Sequence, residues 1–153
     1  MTAPAANLPI HEIAGAIVER LRRSNRLVLT APTGSGKTTQ TPQIIFRAGV
    51  VPADQQIIVL QPRRLATRMV AARVAREMQS ELGGLVGYQT RHDSAMSPAT
   101  RIRFMTEGLM LRLLQSDANP PLPGVGCVIL DEFHERNLPA DISLSLLKRM
   151  QYA

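Results

Sequence analysis

The sequence predicts a three-layer α/β domain, with a mainly parallel sheet covered by helices on both faces, and three observations carry that prediction. Short apolar runs alternate along the chain with segments of helical periodicity. Within those runs successive residues are apolar, which fits strands buried on both faces. Hydrophobic residues make up 44% of the chain but aromatic ones only 3%, so the core is expected to be aliphatic, as suits a buried parallel sheet. A length of 153 residues fits one compact domain.

Residues 1–9 are expected to be a disordered or frayed N-terminus, in which Asn7 and Pro9 offer a cap and a first-turn proline. Ile10, Ile13, Ala14, Ile17 and Leu21 then repeat at helical spacing, which predicts an amphipathic helix over 10–23 with Glu12, Glu19, Arg20 and Arg23 on its outer face. The apolar runs at 27–30, 57–60, 85–88, 102–105 and 127–130 are the strand candidates. Helices are expected over 37–47, 65–81, 107–115 and 139–150. Pro42 removes a hydrogen bond and crowds the preceding turn, predicting a kink or a shortened first segment. The stretch 116–126, with Pro120, Pro121, Pro123 and Gly124, reads as a surface loop, and no internal repeat interrupts the pattern.

The formal charge of +6 suits a polyanionic partner without choosing among RNA, DNA and a lipid surface. Cys127, the single cysteine, can form neither an internal disulfide nor a cysteine-based metal cluster and is expected to be a small core residue. No run approaches the roughly 18 apolar residues of a membrane span, and the first residues lack a basic-then-apolar signal pattern. The expectation is a cytoplasmic protein with no membrane partner.

The residues with the most chemistry are Ala31-Pro32-Thr33-Gly34-Ser35-Gly36-Lys37-Thr38, between a strand candidate and a helix candidate. That is the context a phosphate-binding loop requires. Gly34 and Gly36 allow successive backbone N–H groups to turn toward phosphate, and the helix N-terminus adds its dipole. Lys37 offers a point charge to β- and γ-phosphates, and the Thr38 hydroxyl can ligate Mg²⁺. Thr33, Gly34, Ser35, Gly36, Lys37, Thr38 and Thr39 are the candidate nucleotide-binding set. Ala31 stands where the usual pattern has glycine.

A second apolar run, Cys127-Val128-Ile129-Leu130, ends in Asp131-Glu132. Ligands of α/β sheets bind beyond the carboxyl ends of strands, so such a strand can bring Asp131 to the same Mg²⁺. Glu132 is then the candidate general base for the attacking water.

Asp131-Glu132-Phe133-His134-Glu135-Arg136 resembles the DExH form of motif II of superfamily 2 helicases. The likeness to the DEAH/DExH RNA helicases extends over roughly residues 26–150. Ala31 to Thr38 resembles their motif I, which often begins with Ala or Gly. Gln61-Pro62-Arg63-Arg64-Leu65-Ala66 resembles motif Ia, and Thr106-Glu107-Gly108-Leu109 resembles motif Ib, with Glu where many relatives have Asp. Val86-Gly87-Tyr88, followed by Arg91 and Asp93, is similar to a segment these proteins place before the next strand. The DEFHER spelling with Asn-Leu-Pro-Ala-Asp after it is most similar to the bacterial HrpB-like branch.

The resemblance implies a RecA-like P-loop NTPase domain over 10–153 that binds ATP and Mg²⁺ and works on single-stranded RNA or DNA. It implies that Lys37, Asp131, Glu132 and His134 are catalytic, with His134 coupling the ATP site to a partner domain. Arg73 matches the arginine that stacks on adenine, a contact that gains energy but reads the base poorly. Arg63, Arg64, Thr106 and Arg112 match a nucleic-acid track whose phosphate contacts give affinity without sequence choice. His11 and His92 have no such setting and are expected in solvent. The family's motor needs a second RecA-like domain, and the chain is expected to stop before motif III. An ATP-dependent helicase is therefore the first expectation, and a stand-alone ATP- and nucleic-acid-binding module with negligible turnover the alternative. Nothing resembles the acceptor site or lid of a P-loop kinase.

Overall fold

The computed structural model describes residues 8–152, so the expectations placed on residues 1–7, including the Asn7 cap, lie outside it. After a 3₁₀ turn at Pro9–Ile13 come α1 (Ala14–Arg23), α2 (Lys37–Arg47), β1 (Gln56–Gln61), α3 (Arg64–Glu77), β2 (Val86–Gln89) and β3 (Ser94–Ala95). They are followed by β4 (Ile102–Thr106), α4 (Glu107–Leu114), β5 (Val125–Leu130), a 3₁₀ turn at Phe133–Glu135 and α5 (Leu138–Tyr152). No described helix is long and apolar enough to cross a membrane.

The sheet order is β3-β2-β4-β1-β5, parallel throughout except for the short antiparallel β2–β3 pair at one edge. Because side chains alternate along a strand, β1 feeds two cores. Ile57 and Val59 join Phe104, Ile17, Ile45, Ala71 and Val74 on the face covered by α1, α2 and α3. Ile58 and Leu60 join Met105, Met110, Leu114 and the partly buried Leu146 and Leu147 under α4 and α5. The four β1 residues are fully buried. Each contributes about 1.5–3 kcal/mol by leaving water. The three-layer α/β expectation holds, and the mainly aliphatic core, with Phe104 its largest fully buried side chain, agrees with the composition.

Several local expectations are corrected. The helix expected over 10–23 divides into the 3₁₀ turn and α1, and the Ile10 N–H donates to the Ser35 carbonyl at 3.2 Å, tying the turn to the glycine-rich loop. That docking draws His11 out of solvent, leaving it half-buried with Nε2 enclosed; His92 is exposed as expected. Residues 27–30 are not a ladder strand. Leu27 and Leu29 rest on the first core while Val28 is 92% exposed, a strand-like alternation with no described strand beside it. Apolar alternation favours extended backbone, but only a neighbour supplies the ladder.

The helix expected over 65–81 closes at Glu77, because Gln79 takes a left-handed φ of 54° and the Ser80 N–H reaches back to the Ala75 carbonyl at 2.9 Å. This is the closing turn that satisfies carbonyls at a helix end. Pro42 does not shorten α2, which runs through it with the ring buried. The missing N–H leaves the Thr38 carbonyl without that partner, a local loss the packed helix absorbs. Cys127 is half-buried rather than fully buried, and its surroundings push the thiol up to about 11.

Candidate active site

Three parallel strands end together. Gln61, the last residue of β1, is in register with Thr106, the last of β4, and Leu60 is in register with Leu130 at the end of β5. The next residue, Asp131, therefore leaves the sheet beside Gln61, and α2 begins at Lys37 close by. The Thr38 hydroxyl donates to Asp131 Oδ2 at 2.8 Å, and Gln61 Nε2 donates to the same oxygen at 2.6 Å. Asp131 is 7% exposed and Gln61 3%. A carboxylate this enclosed needs such partners, since an unpaired buried charge is costly.

The loop before α2 depends on its glycines for different reasons. Gly34 (φ 80°) has open space where a Cβ would stand, so its demand is conformational. At Gly36 (φ 88°) a Cβ would also lie 2.7 Å from Leu8 Cδ1. The Ser35 N–H bonds the Pro32 carbonyl at 3.2 Å, and its buried hydroxyl has no partner. Thr33 is exposed, whereas Thr39 is buried, its hydroxyl donating to the Gly36 carbonyl at 3.3 Å. Lys37 Nζ donates to the Ala31 carbonyl at 3.3 Å and lies 3.9 Å from Glu132 Oε1. An ammonium folded onto its own loop and a carboxylate is placed to turn to an incoming polyphosphate.

Glu132 itself has left-handed backbone (φ 52°, ψ 35°), which costs a non-glycine residue on the order of 1–3 kcal/mol. Its Oε2 sits 3.1 Å from His134 Nε2. The two carboxylates diverge: Asp131 turns inward to Thr38 and Gln61, and Glu132 toward Lys37 and His134. Thr38 and Asp131 together offer two hard oxygen donors, a set that suits Mg²⁺ with the remaining positions left to water and phosphate.

A cleft of about 430 Å³ opens among Thr38, Thr39, Gln61, Met69, Val70, Arg73, Asp131 and Glu132. Arg73 thus lies on α3 at the rim of the site, its Nε donating to Glu77 Oε1 at 3.1 Å. Burial pushes the Glu77 carboxyl up, but hydrogen bonds from Gln43, Arg73 and Gln40 outweigh it and hold it below the ordinary value. A larger open groove between α1 and α2, about 830 Å³, lies away from this chemistry.

Of the nucleic-acid candidates, Arg63 and Thr106 occupy the N-cap positions of α3 and α4 and Arg64 opens α3, all at the edge where the strands end. Arg63 Nη2 is 3.5 Å from Glu135 Oε1. Arg112, exposed in the last turn of α4, has no hydrogen bond or ion pair to the other three among the described residues. Sequence reasoning assigned no role to Gln61, Gln40, Gln43 or Glu77. The available signal was polarity out of place: a glutamine closing an apolar strand, and two glutamines three apart on a helix that must bury a face.

A family model described as DEAD/DEAH box helicase matches residues 11–143. Over 147 residues the chain is 42% identical to the ATP-dependent RNA helicase HrpB of Escherichia coli (strain K12), covering 95% of this chain and 18% of that protein. Over 146 residues it is 44% identical to the human (Homo sapiens) ATP-dependent RNA helicase DHX33, covering 95% of this chain and 20% of that protein. The crystal structure of Escherichia coli DEAH/RHA helicase HrpB superposes with a TM-score of 0.88 at 41% identity, over 96% of this chain and 18% of that one. The chain spans about a fifth of the length of the curated relatives it matches.

Proposed function

The chain belongs to the DEAD/DEAH box helicase family, and from that premise we propose that it is the first RecA-like, ATP-binding domain of an ATP-dependent helicase acting on single-stranded nucleic acid, RNA before DNA. One contact carries the reading: the Thr38 hydroxyl, one residue past the phosphate loop's lysine, meets the Asp131 carboxylate at the end of β5. A loop that cradles phosphates and a carboxylate that holds their metal are useful only together. The names of the relatives support ATP and RNA as ligands, and their greater length supports a second RecA-like domain as partner.

In this mechanism the loop from Thr33 to Gly36 directs backbone N–H groups at the phosphates, and Lys37 leaves Ala31 and Glu132 to neutralise the β- and γ-phosphates. Thr38 and Asp131 would hold Mg²⁺, which would supply further charge neutralisation on the phosphate oxygens. Glu132 orients water against the γ-phosphorus and takes its proton as the bond to the β-phosphate oxygen breaks, releasing ADP and phosphate. Arg73 stacks on the base. Arg63, Arg64, Thr106 and Arg112 contact the nucleic-acid backbone, and His134, exposed next to Glu132, reports the nucleotide state to the partner domain.

The test is binding of a fluorescent ATP analogue with Mg²⁺ to the chain and to Lys37→Ala. Weak binding is expected for the chain and none for the variant. Unchanged affinity in the variant would remove the basis for the nucleotide site.

A further inference from the structure

Gln40 and Gln43 lie on α2, the helix that starts at Lys37, and each is only 1% exposed. Both donate Nε2 to Glu77 Oε2, each at 2.7 Å. The other oxygen of Glu77 receives Arg73 Nε. One carboxylate on α3 therefore takes three donors, two from the phosphate-loop helix and one from the arginine at the rim of the cleft. A carboxylate has acceptor sites for all three, whereas an amide in its place would present a donor to a donor on one side or the other. Buried amide donors left unpaired are costly, so the two glutamines constrain Glu77 strongly. Arg73 and Glu77 stand four apart on one face of α3, so fixing the carboxylate fixes the guanidinium.

We propose that Glu77 is a positioning residue that ties the phosphate-loop helix to Arg73, so that the grip of Arg73 on the nucleoside end of a bound nucleotide is set by Glu77 and not by Arg73 alone. The proposal rests on the nucleotide-site reading above. Arg73 spends its Nε–H on Glu77, leaving the rest of a half-exposed guanidinium available at the rim of the cleft it lines. An arginine held by one edge loses less side-chain freedom when a base stacks on it. The phosphates, gripped by the loop and Lys37, do not depend on this link.

The experiment compares two probes on the chain, ATP and inorganic tripolyphosphate, both with Mg²⁺, by titration calorimetry. Glu77→Gln is expected to weaken ATP by several-fold while leaving tripolyphosphate unchanged, Arg73→Ala to do the same, and the double variant to lose no more than either. Equal weakening of both probes by Glu77→Gln would overturn the proposal, since Glu77 would then only support the loop. So would unchanged ATP affinity in Arg73→Ala, a half-exposed position whose replacement does not threaten the fold. Should Glu77→Gln not fold, the wild type alone decides: by NMR the Arg73 Nε–H should be protected from exchange and should shift with ATP but not with tripolyphosphate. An unprotected or unresponsive signal would overturn the proposal. Failure of the wild type to bind either probe in a Lys37-dependent way would be a different failure, that of the nucleotide site itself.

Discussion

The Thr38 hydroxyl donates to Asp131 Oδ2 at 2.8 Å across 93 residues of sequence. The same oxygen takes the Gln61 amide, so the carboxylate is oriented before any ligand arrives. Asp131→Asn, which keeps the size and removes the charge, is expected to weaken Mg²⁺-dependent nucleotide binding by about tenfold, or 1.4 kcal/mol. Binding without Mg²⁺ should change little. A Mg²⁺ titration at fixed nucleotide separates the two, and an unaltered Mg²⁺ dependence would show that the metal is held elsewhere.

Glu132 stands on strained backbone with one oxygen near Lys37 and the other near His134. In a protein that joins this chain to its second RecA-like domain, Glu132→Gln should bind ATP and lose hydrolysis by a factor of about 10²–10⁴. Single-turnover kinetics distinguish binding from chemistry. Hydrolysis near the wild-type rate would mean that another group takes the proton.

Arg63 is paired with Glu135 at 3.5 Å with both side chains exposed, a pair a phosphate can displace at little cost. Replacing Arg63 and Arg64 together with Ala should weaken single-stranded RNA about equally across sequences. It should also flatten the slope of log affinity against log salt by about 0.7 for each phosphate no longer neutralised. Salt titrations of the folded double variant provide the check, and an unchanged slope would make these arginines solvated surface.

Glu77 titrates below its ordinary value of 4.5 in the folded chain, its hydrogen bonds outweighing its burial. Its contribution to stability is therefore fully present above 4.5 and is lost as pH falls through the lower, folded value. Urea unfolding of the wild type should show stability declining below about pH 4.5, and the decline should be shallower in Glu77→Gln. Parallel pH profiles for the two proteins would show that Glu77 carries no linked proton.

Local order of residues was enough to identify the phosphate loop, because glycine, lysine and threonine act through positions adjacent in the chain. Although β5, at the sheet edge, is only partly buried, the apolar run ending in Asp131-Glu132 was equally legible, since a short run of successive apolar residues favours a strand. Four of the five strand candidates are ladder strands for the same reason. The run at 27–30 is not, and nothing in its own residues could say so, because a ladder requires a neighbour as well as an extended backbone. The roles of Gln61 and Glu77 were not legible for a related cause. A glutamine or glutamate carries no periodic signal, and its role depends on which distant group meets it. Parallel register brings Gln61 beside Asp131, and the packing of α2 on α3 brings Gln40 and Gln43 onto Glu77. Those meetings follow from strand order and helix packing, in which hydrogen-bond partners 70 and 37 residues apart become neighbours only after both cores have formed.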